Sequence, residues 1–166
     1  MTHYQPFSRC TDVVIYCVYT VGQVVHTLPE GEAVFGVTLL ADEIFLLRRK
    51  NYDQVEVYDV ITYRRKRIIA VPNALWLLDM TSCAHFQCVY IVDARNECIF
   101  RLDVKGATFK QWNVGDLHSC ISVNASHNVV VSCPIVRKIK EFSSHGKLLT
   151  SSTRGAQYKL GTTDML

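Results

Sequence analysis

The sequence has no apolar run approaching the roughly 20 residues that a membrane-spanning helix needs. The longest, "VVIYCVYTV" from Val13, is under half that length, so no membrane association is expected. A secretory leader is not expected either, because the twelve residues before that run carry one Arg and one Asp and no small-residue cleavage site follows it. No segment longer than about ten residues keeps a helical period. The seven cysteines are odd in number and lack the spacing of a small disulfide scaffold. Cys88 and Cys98 fall in or beside strand-like runs, where a thiol packs as a small hydrophobe, and a reduced, cytoplasmic protein is expected. The glycosylation-type triplet at Asn124 then carries no meaning. Catalytic signatures are missing as well: no phosphate-cradling glycine loop, no nucleophile elbow and no suggestive pair of carboxylates. No enzyme activity and no cofactor are expected.

What is present is an ordinary globular composition, 49% hydrophobic and 20% charged with a net charge of +3 over 166 residues, and a repeat. The stretches "IYCVYTVGQVVHT", "VEVYDVITYRRKR", "IFRLDVKGATFKQ" and "IKEFSSHGKLLTS" begin at Ile15, Val55, Ile99 and Ile139, at steps of 40, 44 and 40 residues. Each is an alternating strand, a turn cluster and a second strand, with Gly22, Thr62, Gly106 and Gly146 at the turn. Before three of them lies another strand-like run, "IFLL" from Ile44, "VYIV" from Val89 and "VVVS" from Val129. Before these stand "GVTLLA" from Gly36, "LDMTSCA" from Leu78 and "ISVNASH" from Ile121. Four short strands in about 40 residues is the unit of an all-β propeller, whose antiparallel blades stack face to face because one sheet cannot cover both of its own faces. Val55, Val57, Ile99, Ile139 and Phe142 are expected to fill the spaces between blades.

The stretch "VYIVDARNECIFRLDVKG" from Val89 resembles an NHL-type repeat of the six-bladed propeller class, with a strand ending at Asp93, Asn96 in the turn and Gly106 closing the next strand. Asp and Asn side chains suit such a turn because they bond nearby backbone, and Gly106 and Gly146 are expected where a side chain would clash. The following unit places Cys133 and Val136 where Asp93 and Asn96 stand, and the preceding one has an extra turn residue and lacks the Gly. The WD40 signature is missing. The organisation expected is an N-terminal segment 1–12, blades over 13–153 and an irregular tail 154–166, with about three and a half blades in place. Closed propellers have four to eight, so the propeller is incomplete. A fragment of a longer protein, assembly with a second copy and a decayed gene product all account for this, and the abrupt change at "RGAQYKLGTTDML" favours the fragment. Uncovered end blades imply aggregation or self-association.

Positive charge recurs at the turn between the second and third strands of each unit: Arg48, Arg49 and Lys50, then Arg95, then Arg137 and Lys138. In a meander this turn lies at the same end as the link to the next blade, so these residues are expected to form an arc. "RRKR" from Arg64 belongs to the other end or the rim. The expected function is a non-catalytic interaction module for a protein or peptide partner. RNA binding through the arc, as in the NHL domains of some tripartite-motif proteins, is the alternative. It calls for exposed aromatics beside the charges, and only Tyr52 lies beside a basic turn; no RING, B-box or coiled-coil segment is present. A fragment of a propeller hydrolase is the least favoured reading, since the lactonase-like members hold calcium near the channel and the first strands offer only Asp79 and Asn124. Cys83, His85 and Cys88 are zinc-ligand types, but a fourth ligand is lacking and His85 has a counterpart, His127, in the next unit. No metal is expected.

Overall fold

A computed structural model describes residues 33–49 and 51–153, together with the backbone of 14–16 and 24–27. The segments 1–12 and 154–166, and the turn position Gly22, lie outside the described residues. Three antiparallel four-stranded sheets follow one another along the chain, each in simple meander order. Blade 1 holds β3 (Val34–Leu40), β4 (Glu43–Arg48), β5 (Gln54–Asp59) and β6 (Arg65–Ala70). Blade 2 holds β7 (Leu77–Cys83), β8 (Cys88–Asp93), β9 (Cys98–Asp103) and β10 (Thr108–Asn113). Blade 3 holds β11 (Cys120–Val123), β12 (Val129–Cys133), β13 (Lys138–Phe142) and β14 (Leu148–Thr153). A two-stranded ribbon, β1 (Val14–Tyr16) with β2 (Val24–Thr27), precedes them. No helix occurs among the described residues. This is an incomplete all-β propeller.

The first strands lie side by side, β3 against β7 and β7 against β11, as strands nearest a propeller axis do. Side chains tie them. Thr38 donates to Ser82, whose hydroxyl donates to the Leu39 carbonyl at 2.7 Å. The Ile121 N–H donates to the Asp79 carboxylate at 3.0 Å. Gly36 permits the approach, because a Cβ there would stand 3.1 Å from the Met80 nitrogen and 3.3 Å from the Asp79 Cα.

Period-two alternation sorts each blade's residues between two interfaces. Between blades 1 and 2 lie Phe45, Leu47, Val55 and Val57 against Val89, Ile91, Phe100 and Leu102. Between blades 2 and 3 lie Tyr90, Val92 and Ile99 against Val129, Val131 and Phe142. Each fully buried side chain of this size contributes about 1.5–3 kcal/mol of transfer free energy. Val55, Val57, Ile99 and Phe142 thus lie where the alternation places them. Ile139 does not: it occupies the same forward position as Val55 and Ile99, but no described blade follows blade 3, and it is 40% exposed. Cys88 and Cys98 are buried and free, as are Cys83 and Cys133; Cys120 is exposed and free.

Hairpin chemistry is regular. The four-residue loops 84–87, 94–97, 104–107 and 134–137 each end on a left-handed residue, at φ of 50° for Gln87, 50° for Glu97, 48° for Ala107 and 54° for Arg137. Gly106 does not stand where a side chain would clash, since a Cβ on it would meet nothing closer than 3.6 Å; the left-handed position of its loop falls on Ala107. Gly146 is required on both counts, with φ at 86° and the Trp112 Cγ 2.5 Å from where its Cβ would stand.

Candidate partner-binding surface

The turns between second and third strands share one end of the sheets with the inter-blade links, here called the link end. The turn of blade 2 is the best-built of the three. Asp93, fully buried, accepts from the backbone N–H groups of Arg95 and Asn96 and from the Asn96 amide. It also accepts from the N–H groups of Leu75 and Trp76 in the incoming link, at 2.8 and 3.1 Å. One carboxylate thereby clamps the turn to the link, and the Ala94 N–H donates back to the Trp76 carbonyl. The Leu77 N–H donates to the Tyr52 carbonyl of the preceding turn. Tyr52, Trp76 and Arg95 consequently stand on adjoining segments of backbone, and all three are exposed.

The basic positions divide. Arg49, Arg95 and Arg137 are exposed at the link end. Lys50 lies outside the described residues. Arg48 is buried: its Nε donates to the Glu56 carboxylate at 2.9 Å and its Nη2 to the Tyr58 hydroxyl at 2.9 Å. Burial opposes its charge, but Tyr58 and Glu56 outweigh that and hold its pKa above the ordinary arginine value. Arg48 belongs to blade packing and not to the arc, because as the last residue of β4 it points back onto the face that carries Glu56. Lys138 is half-buried, and its charge helps hold the Asp116 carboxyl below its usual range, after the larger effect of Lys140. Three cations of the "RRKR" run, Arg65, Lys66 and Arg67, pair with carboxylates of blade 1. Arg67 grips Glu43 through both its nitrogens and Lys66 reaches the same carboxylate at 2.8 Å. Arg67 leads in lowering the Glu43 pKa from 4.5 to about 2.

Apolar side chains at the link end were not foreseen from the strand pattern, which ignores connections. Leu75 and Trp76 are exposed in the link to blade 2, and Leu117 in the link to blade 3. Ile135, 68% exposed, and Val136 stand in the blade 3 turn beside Arg137. The signal available was the sequence itself: "PNALW" and "CPIVRK" put large apolar residues in loops, where polar ones are usual.

Elsewhere the single-residue candidates are occupied. Asp79 accepts from the Ile121 and Met80 N–H groups, and burial pushes its pKa up in spite of them. Asn124 accepts from Ser126 and Asn128 and donates to Glu141. His85 stacks face to face on His127 at 4.2 Å, which fits an inherited turn, while Cys83 and Cys88 sit in the core between blades 2 and 3.

The chain matches no protein-family model and no curated protein sequence. Its fold is similar to Kuenenia stuttgartiensis hydrazine synthase, at TM-score 0.65 and 19% identity over 82% of this chain and 40% of that one. It is similar also to virginiamycin B lyase from Staphylococcus aureus, at TM-score 0.62 and 11% identity over 75% of this chain and 42% of that one. A third is a protein of unknown function from Bacteroides caccae, at TM-score 0.56 and 17% identity, covering 77% and 48%. The likeness is one of fold. The chain spans less than half the length of each of these three structures.

Proposed function

We propose that this chain is a non-catalytic, cytoplasmic interaction module built of NHL-like blades, which offers its link end to a protein or peptide partner. The observation that carries the reading is the collection of exposed large apolar residues on that one end, Tyr52, Leu75, Trp76, Leu117, Ile135 and Val136, interspersed with Arg49, Arg95 and Arg137. Aromatic anchors with adjacent arginines are the composition enriched where partners bind. The NHL assignment rests on the Asp93 and Asn96 turn, whose side chains bond the backbone around them.

RNA binding is the second reading, favoured by a specific observation: Trp76 is held next to the Arg95 turn and Tyr52 next to Trp76, which supplies the stacking partners that the charges require. One pair of measurements separates the two. Selection of random peptides on the purified protein should enrich apolar sequences flanked by carboxylates, and Trp76→Ala should weaken the selected peptides by about tenfold or more. Single-stranded RNA should bind weakly at physiological salt and respond little to Arg95→Ala with Arg137→Ala. A steep salt dependence, near −0.7 in log K per phosphate contacted, at submicromolar affinity that both arginine changes abolish, would reverse the order of the readings.

A further inference from the structure

The outer half of blade 2 carries a cationic pair that the link end does not use. Arg101 of β9 and Lys110 of β10 are direct cross-strand partners. Like charges so placed repel, and among the described residues neither forms an ion pair. Arg101 is pinned nonetheless. Its Nη1 donates to the Ser144 carbonyl at 3.0 Å, and its guanidinium lies 5.5 Å from the centre of the Phe86 ring. Neither contact supplies negative charge.

Around this pair is a cleft of about 450 Å³ between blades 2 and 3, lined by Arg101, Lys110, Gln111, Trp112, Ser144 and His145. Its size falls in the range of roughly 300–1,000 Å³ typical of small-molecule sites. Among the described residues no carboxylate lines it; Asp103 borders the adjoining recess, which Arg101 and Lys110 also line, and accepts there from the Lys105 and Gly106 N–H groups. The Trp112 indole Nε1 is buried and has no hydrogen-bond partner among the described residues. A buried donor without an acceptor is costly and uncommon in native folds. Gly146 leaves room for that indole, since any side chain there would collide with it.

We propose that this cleft binds a small molecule bearing carboxylate or phosphate groups. The guanidinium of Arg101 suits a two-oxygen grip on an oxyanion, and Lys110 adds a point charge from the facing strand. Gln111, Ser144 and His145 add donors around them. An anion in the cleft adds negative charge beside Arg101 and Lys110, to which the protein supplies only Asp103, in the adjoining recess. The site lies between the outer strands of blade 2 and the β13–β14 turn and shares no residue with the partner surface.

The chain has two tryptophans, so Trp76→Phe leaves Trp112 as the single indole reporter. Citrate and pyrophosphate are titrated into this variant, with sodium chloride at matched ionic strength as the reference. A saturable change in Trp112 emission is expected with one or both anions and not with chloride. Lys110→Gln, on an exposed outer strand, should weaken it about tenfold or more, as the loss of a charged hydrogen bond does. Far-UV circular dichroism checks that the variant keeps its sheets. No saturation by about 10 mM, an equal response to chloride, or an affinity unchanged in both Lys110→Gln and Arg101→Gln overturns the proposal.

Discussion

The two inter-blade interfaces occupy the same positions of the repeat and are filled with different chemistry. The first is apolar throughout, with Phe100 of blade 2 buried among Phe45, Leu47, Val55 and Val57. The second puts Lys140 at the position that Phe100 holds one blade earlier, third in the third strand, and Lys140 is only 8% exposed. Its Nζ donates to the Val114 carbonyl at 2.7 Å and meets the Asp116 carboxylate at 2.6 Å. His118, buried in the same link, has ring nitrogens 2.9 Å from the Asp116 carbonyl and 3.0 Å from the Cys98 carbonyl. The corresponding residue of blade 1 is Glu56, again buried and charged, and again paired, with Arg48. One repeat position thus accepts Glu, Phe or Lys. The difference teaches that the repeat specifies burial at this place, while the neighbouring link or strand decides whether the buried group is apolar or a satisfied charge.

The most damaging way to break the comparison is Phe100→Ala. It removes the aromatic centre of the apolar interface and leaves a cavity, and a loss of about 3–5 kcal/mol is expected by denaturant unfolding. A loss under about 1 kcal/mol would mean that the first interface collapses as easily as a loose one.

Lys140→Met probes the second interface at lower cost, about 1–2 kcal/mol, because Asp116 retains access to water while the Val114 carbonyl loses its donor. The acid dependence sharpens this. Lys140 leads in holding the Asp116 pKa below its usual 3.8. A depressed carboxylate stabilises the fold above its unfolded pKa, and that contribution disappears as pH falls through the folded value. The gap between wild type and Lys140→Met should therefore narrow below about pH 3.8, whereas the Phe100→Ala gap should persist. Equal narrowing in both variants would remove the electrostatic distinction between the interfaces. The smallest expected effect belongs to neither interface. Ala107→Gly relieves a left-handed alanine worth roughly 1–2 kcal/mol of strain, set against greater unfolded-chain entropy, for a net stabilisation of about 0.5–1 kcal/mol. A destabilised variant would show that the strand-closing loop of blade 2 is not strained.

Much of the fold was legible because strand alternation, turn residues and a period near 40 residues all describe the same blade. Asp93 and Asn96 were readable as a turn pair, since their bonds are local. The clamp from Asp93 to Leu75 and Trp76 was not readable, because it joins residues 18 and 17 positions apart through the stacking of a link on a turn. Arg48 looked like a surface cation because it adjoins Arg49; only the pairing of β4 with β5 brings it to Glu56 and Tyr58. Gly106 was expected to stand where a side chain would clash and does not, since loop length and not glycine content sets where the chain reverses, and the left-handed position falls on Ala107. Arg101 and Lys110 drew no attention, as their opposition depends on hairpin register.

The sequence by itself determined that this chain forms successive four-stranded antiparallel blades, and which strand residues turn inward, because alternation and turn chemistry act over a few residues. Tertiary structure alone decided which charges are neutralised, where Ile139 and Ser144 end up, and which loops share an end. Those outcomes follow from face-to-face stacking of sheets, which sets residues some 40 positions apart against one another, as when Arg101 reaches the Ser144 carbonyl 43 residues along the chain.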